Sequence, residues 1–179
     1  MKFAGQPLQN SYVSSFTLPR SNGEPLTLQL QPLSLGFHSR LRSRGILPPV
    51  PPLKVARDSH GKPLRDGQGM AITQTDSHNS DYLMELENYH QRVAVLTVVE
   101  SLQVDPNITF DAVPPGDDSH GHAWKNYADA IFHELEQAGL TAGDLVLLCR
   151  EICRLSNLLD QHLSTAQASF SHALEAGSA

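Results

Sequence analysis

The chain has 179 residues, room for one ordinary domain with an arm, and no run approaches the roughly 20 apolar residues that cross a bilayer. Its net charge of −6 is divided: residues 1–79 hold nine Lys and Arg against four Asp and Glu, residues 80–179 hold four against fifteen, so +5 faces −11. An acidic helical half repels phosphates and argues against nucleic acid as the main ligand; such a division is instead neutralised within the fold, by a second copy in a homo-oligomer, or by another protein.

The opening Met1-Lys2-Phe3-Ala4-Gly5-Gln6-Pro7 has no apolar stretch of leader length. Tyr12-Val13-Ser14-Ser15-Phe16-Thr17-Leu18 and Leu26-Thr27-Leu28-Gln29-Leu30 alternate in polarity, with Asn22-Gly23 between them. Alternation suits strands with one wet face and Asn-Gly reverses a chain, so residues 12–32 are predicted to form a β-hairpin. Residues 35–44 read as a short helix ended by Gly45, with Arg40, Arg42 and Arg44 close together. Proline fixes φ and restrains the residue before it, so Pro48-Pro49-Val50-Pro51-Pro52 is extended. With Leu53-Lys54 it has the spacing of a proline-rich ligand for aromatic grooves, or serves as a rigid connector. The candidate partner-binding residues are therefore Arg40, Arg42, Arg44, Pro48, Pro49, Pro51, Pro52 and Lys54.

Arg57-Asp58-Ser59-His60-Gly61 is echoed eight residues later by Arg65-Asp66-Gly67-Gln68-Gly69. Asp at the first position and Gly at the last suits a β-turn, and with short extended pieces at 53–56 and 70–75 a second hairpin is predicted. Beyond Ser80 the pattern becomes helical. Residues 81–103 form a helix capped by Asn79 or Ser80, its Val93–Val99 stretch apolar on nearly every side, as in a helix buried at the centre of a fold or in a buried strand. Asp105-Pro106 stops it, 107–110 reads as a short strand and 114–121 as a polar loop. Residues 123–138 form a second helix closed by Gly139. Thr141 with Asp144 opens a third in the manner of a capping box; if continuous to Leu174 it would run roughly 50 Å at 1.5 Å per residue.

The fold class is thus α+β: an N-terminal hairpin and an extended Pro- and turn-rich middle packed on a three-helix C-terminal half. Residues 1–79 form a basic hairpin-and-arm region and 80–175 an acidic helical region, sharing one cooperative domain.

Nine histidines raise the possibility of a metal. His120-Gly121-His122 lies beside Asp117 and Asp118, and His133 follows on the next helix, but His133-Glu134-Leu135-Glu136-Gln137 lacks the second histidine that would put two imidazoles on one face. Cys149 and Cys153 stand four apart without a second pair, so core filling is the expected role, in a reducing compartment and without disulfide or cofactor. No nucleophile elbow or phosphate loop is present. No catalytic or metal-binding residues are assigned, and a non-enzymatic, cytoplasmic protein is expected.

Phe16-Thr17-Leu18-Pro19, then Gly23-Glu24-Pro25-Leu26-Thr27-Leu28-Gln29-Leu30-Gln31-Pro32-Leu33, resembles the start of bacteriophage tail assembly chaperones, where a strand ending in Leu-Pro, a Gly turn and a second strand precede a helical body. The resemblance implies an acidic, largely helical cytoplasmic protein that holds tape-measure or tail-tube subunits before assembly. A chaperone or scaffold of a phage tail or related particle is the leading expectation, a permanent structural subunit of such a particle the second, and a small metal-dependent enzyme using His120, His122 and His133 the third.

Overall fold

The computed structural model describes residues 2–3, 5–7, 12–19, 25–116 and 121–158. In chain order these contain β1 (Lys2–Phe3), β2 (Gln6–Pro7), β3 (Ser14–Leu18), β4 (Leu26–Leu30), α1 (Phe37–Ser43), β5 (Leu53–Val55), β6 (Thr73–Thr75), α2 (Ser80–Leu102), α3 (Gly121–Gln137) and α4 (Ala142–Leu155). The strands pair as three antiparallel two-stranded ribbons, β1 with β2, β3 with β4 and β5 with β6. The fold is α+β, as the patterning predicts.

The expected N-terminal hairpin is the β3–β4 ribbon, in register from Ser14 opposite Leu30 to Leu18 opposite Leu26. Its turn residues 20–24 lie outside the described residues. Leu18, Leu28 and Leu30 are buried, whereas Thr17 and Thr27 face out and hydrogen-bond to each other at 3.0 Å. A lone hairpin is marginal in water, and this one is held because its apolar face covers α2 and α4.

The apolar girdle of α2 follows from its position between two cores. Val95, Leu96 and Val99 pack with Phe37, Leu41 and Ile46 around α1 and with Trp124, Tyr127, Ala128 and Ile131 of α3. Val98 and Leu102 turn the other way, onto Leu18, Leu28 and Leu30 of the hairpin and Leu148, Ile152 and Leu155 of α4. A helix with packing on opposite sides needs apolar residues all round. The N-terminal three turns of α2, by contrast, contain no buried residue, and Leu83 and Met84 there are exposed.

Polar bonds tie the hairpin to the C-terminal end of α2. Gln31 N donates to Ser101 O (3.1 Å), and Ser101 Oγ donates back to Gln31 O (2.7 Å). Just beyond, the buried carboxylate of Asp105 accepts from Gln29 N at 2.7 Å and Asn107 N at 2.9 Å.

Three helix ends share one device. After α1, Ile46 N donates to Leu41 O and Gly45 N to Arg42 O; after α3, Leu140 N donates to Leu135 O and Gly139 N to Glu136 O. After α4 the same pair of bonds runs from Leu158 N to Cys153 O and from Asn157 N to Arg154 O. Each is a Schellman closure, with Gly45 (φ 77°), Gly139 (φ 79°) and Asn157 (φ 56°) in the left-handed region.

Two expectations are corrected here. Residues 107–110 are not a strand, because Asp105 draws the chain into a turn through Asn107 N and Ile108 N. The third predicted helix stops at Leu155, closed by Asn157 and by Ser156 Oγ, which donates to Ile152 O; the expected extension over 159–174 lies outside the described residues.

Candidate protein-interaction site

The proline segment leads out of the body. Pro48 and Pro49 lie beside Met84, Glu85, Tyr89 and Arg92 of α2 and His122 and Lys125 of α3, around a polar hollow of about 560 Å³. Pro51 is half-buried and Pro52 exposed. At Pro52 the chain leaves as an arm and returns beside its starting point. Asp76 N donates to Pro52 O (2.7 Å), Lys54 Nζ donates to Asp76 Oδ1 (2.9 Å), and Asn79 then caps α2 by accepting from Tyr82 N.

The Arg-Asp echo in the sequence is an echo in structure. Asp58 Oδ1 accepts from His60 N and Lys62 N, and Asp66 Oδ1 accepts from Gln68 N and Met70 N, all at 2.8–2.9 Å. Gly61 N donates to Asp58 O and Gly69 N to Asp66 O, both at 3.0 Å. Each turn then passes through a left-handed glycine, Gly61 (φ 80°) or Gly69 (φ 82°), as in a hairpin loop with a glycine bulge. Arg57 and Arg65 reach along their own turns to donate to Gly61 O and Gly69 O.

The two turns are joined by a closed ring of backbone bonds. Leu64 N donates to Ala56 O, Ile72 N to Leu64 O and Ala56 N to Ile72 O, at 2.8–2.9 Å. Three segments spaced by eight residues thus surround Ala56, the one buried residue between 53 and 75. All the other residues of that span are exposed. Local bonds, not a core, order the arm.

Two of its exposed apolar side chains, Leu53 and Val55, share a face, while Leu64 and Ile72 stand at the ring positions equivalent to Ala56. Leu53 pairs with Thr75 and Val55 with Thr73, and alternation puts these four on one side of the β5–β6 ribbon. Leu53 is 68 % exposed and Val55 38 %. The same alternation continues to Arg57, and Arg65 lies opposite Ala71 in the next bridge.

The predicted arginine cluster is divided among different tasks. Arg40 donates to Glu100 and to Ser34 Oγ, and Arg44 lies over the Trp124 ring, 3.8 Å from its centroid. Arg42 is exposed and takes part in no ion pair among the described residues. Lys54 closes the base of the arm. Two of the three arginines therefore position α1 against α2 and α3.

His120 lies outside the described residues. His122 and His133 are eleven residues apart on α3, about 16 Å at 1.5 Å per residue, too far to share an ion. Among the described residues no group of three or more His, Cys, Asp or Glu stands close enough together to hold a metal, and none of their helices is long and apolar enough to cross a membrane. Cys149 and Cys153 form no disulfide; Cys149 Sγ packs toward Ala94 O, and burial followed by the neighbouring Cys153 pushes its pKa up to about 11.

Sequence reasoning missed an apolar groove between α2, α3 and α4, of about 480 Å³. Phe132, Leu140, Leu145 and Val146 line it, with Glu87 and Glu136 also on its wall. Its signal was Val146, an apolar residue off the buried stripe of α4 and 66 % exposed. No family model matches the chain, and no curated protein or solved structure matches it.

Proposed function

We propose that the chain is a non-enzymatic assembly protein that works through its arm, as a chaperone or scaffold in building a phage tail or related particle. The observation that carries this is the exposed apolar face of β5–β6 on an arm ordered by its own turns. A two-stranded ribbon with nothing on its apolar face lacks the packing that normally stabilises one, and covering that face with another protein supplies it. The particle context rests on the resemblance of residues 16–33 to tail assembly chaperones.

A permanent structural subunit is the second reading, favoured by the unneutralised charge division. Among the described residues, Arg40–Glu100 is the ion pair that joins the basic and acidic halves; Lys54–Asp76, Arg92–Asp129 and Arg154–Glu151 each lie within one half.

The test is capture from native host lysate by the tagged full chain and by a chain with residues 53–75 replaced by Gly-Gly. Particle proteins held by the first and lost by the second support the assembly role, and fixed stoichiometry in finished particles selects the structural subunit. Equal capture by both, or none by either, overturns an arm-based role. Metal retained through purification and released by replacing His122 would move the reading to the enzyme class.

A further inference from the structure

The arm and the groove are complementary and belong to opposite sides of α2. The arm offers Leu53 and Val55 on one face at its base, with Arg57 and Arg65 at the starts of its two turns. The groove offers Phe132, Leu140, Leu145 and Val146, with Glu87 and Glu136 on its wall. Both glutamates are exposed, and among the described residues Glu136 has the exposed His133 as its ion-pair partner, at 3.5 Å. Among the described residues neither arginine pairs with an acid, and both donate to glycine carbonyls.

A chain cannot readily place its own arm there. The segment leading to the arm runs along the Glu85, Tyr89 and Arg92 side of α2, whereas the groove opens on the Glu87, Gln91 and Ala94 side. Positions two apart on a helix point about 200° from each other at 3.6 residues per turn. The groove thus faces away from the arm's root.

We propose that the occupant of the groove is the arm of a second copy of this chain. Leu53 and Val55 enter between α3 and α4, and Arg57 and Arg65 meet Glu87 and Glu136. This rests on the assembly reading above and names the partner. Reciprocal exchange gives a two-fold dimer, and head-to-tail exchange gives a ring or filament. Either form neutralises basic N-terminal residues against acidic helices of the next copy.

The experiment is sedimentation velocity on the full chain over a hundredfold concentration range, at low and high salt, with circular dichroism as the folding control. The wild type should associate at low salt and weaken at high salt, because exposed charges are screened. Two variants each remove one side of the contact: L53D in the arm and V146D in the groove, both at exposed positions. Each alone should raise the association midpoint at least tenfold. For reciprocal or head-to-tail exchange, mixing the two variants pairs an intact arm with an intact groove and should restore a heterodimer. A charge exchange gives an independent reading: R57E with R65E should weaken association, and adding E87R with E136R should recover it.

A wild type that stays monomeric throughout overturns the proposal, as does association that neither L53D nor V146D changes. A monomer that still captures particle proteins through its arm leaves the assembly role standing while this inference fails. Loss of capture on arm removal in a chain whose self-association persists has the same meaning.

Discussion

At the residue scale, the chain places charge where backbone donors need it. Asp105 is buried and takes Gln29 N on one oxygen and Asn107 N on the other, joining strand β4 to the turn after α2. These bonds, Gln29 first, favour the carboxylate and hold its pKa below the ordinary value. Because the folded value is depressed, the stabilisation is fully present above the unfolded value of about 3.9 and is lost as pH falls through the lower folded one. D105N turns one acceptor into a donor facing an N–H and should cost about 1–3 kcal/mol near pH 7. Urea unfolding should show that gap steady from pH 5 to 8 and narrowing below pH 4; a gap unchanged at low pH would refute the ionic role. Cys149 gives a second test. With its thiol pushed up to about 11 by burial, the native protein should leave it unreacted with a thiol reagent at pH 8, and denaturation should expose it at once. Peptide mapping after a short native labelling would decide, and rapid labelling of Cys149 would contradict the packing described.

At the element scale, what the sequence made legible were features encoded within a few residues. The capping box at α4 has Thr141 N donating to Asp144 Oδ2 (2.8 Å) and Asp144 N to Thr141 Oγ1 (3.2 Å), visible beforehand as two polar residues three apart. Gly139 as the closure of α3 was equally visible. Adding a Cβ there would meet nothing within 4 Å, so G139A isolates the cost of its left-handed backbone, about 1 kcal/mol. Thermal unfolding should show a small loss with no change in folded-state spectra; no loss would mean that α3 ends by another route. The stop of α4 was hidden because Asn157, not glycine, takes the left-handed position, and a Leu-rich stripe continues past it. The turn at 105–108 was hidden because its bonds run from a carboxylate to backbone groups, one of them 76 residues away in β4. The groove was hidden for the same reason: it needs three helices placed in space before Val146 has neighbours.

At the scale of the molecule, the fold and the arm are built by different physics and should separate. Two apolar cores around α2 hold the body, and each takes side chains from both the basic and the acidic parts of the sequence. The arm is ordered by its own ring of backbone bonds and two aspartate-centred turns, and its residues 57–75 are all exposed. Its ends meet, since Asp76 N bonds to Pro52 O, so residues 53–75 can be replaced by Gly-Gly without stretching the chain. Lys54–Asp76 is lost in that variant, but an exposed, solvent-screened ion pair holds little, and Ala56 is the only buried side chain removed. Thermal unfolding should therefore shift by no more than a few degrees, because stability scales with apolar surface withdrawn from water and little of it lies in the arm. A large drop would mean that the arm braces α2 and that its exposed face has a structural purpose within one chain. A small drop, together with loss of self-association, would mean that the molecule carries a body that folds alone and an arm kept for contact with its neighbour.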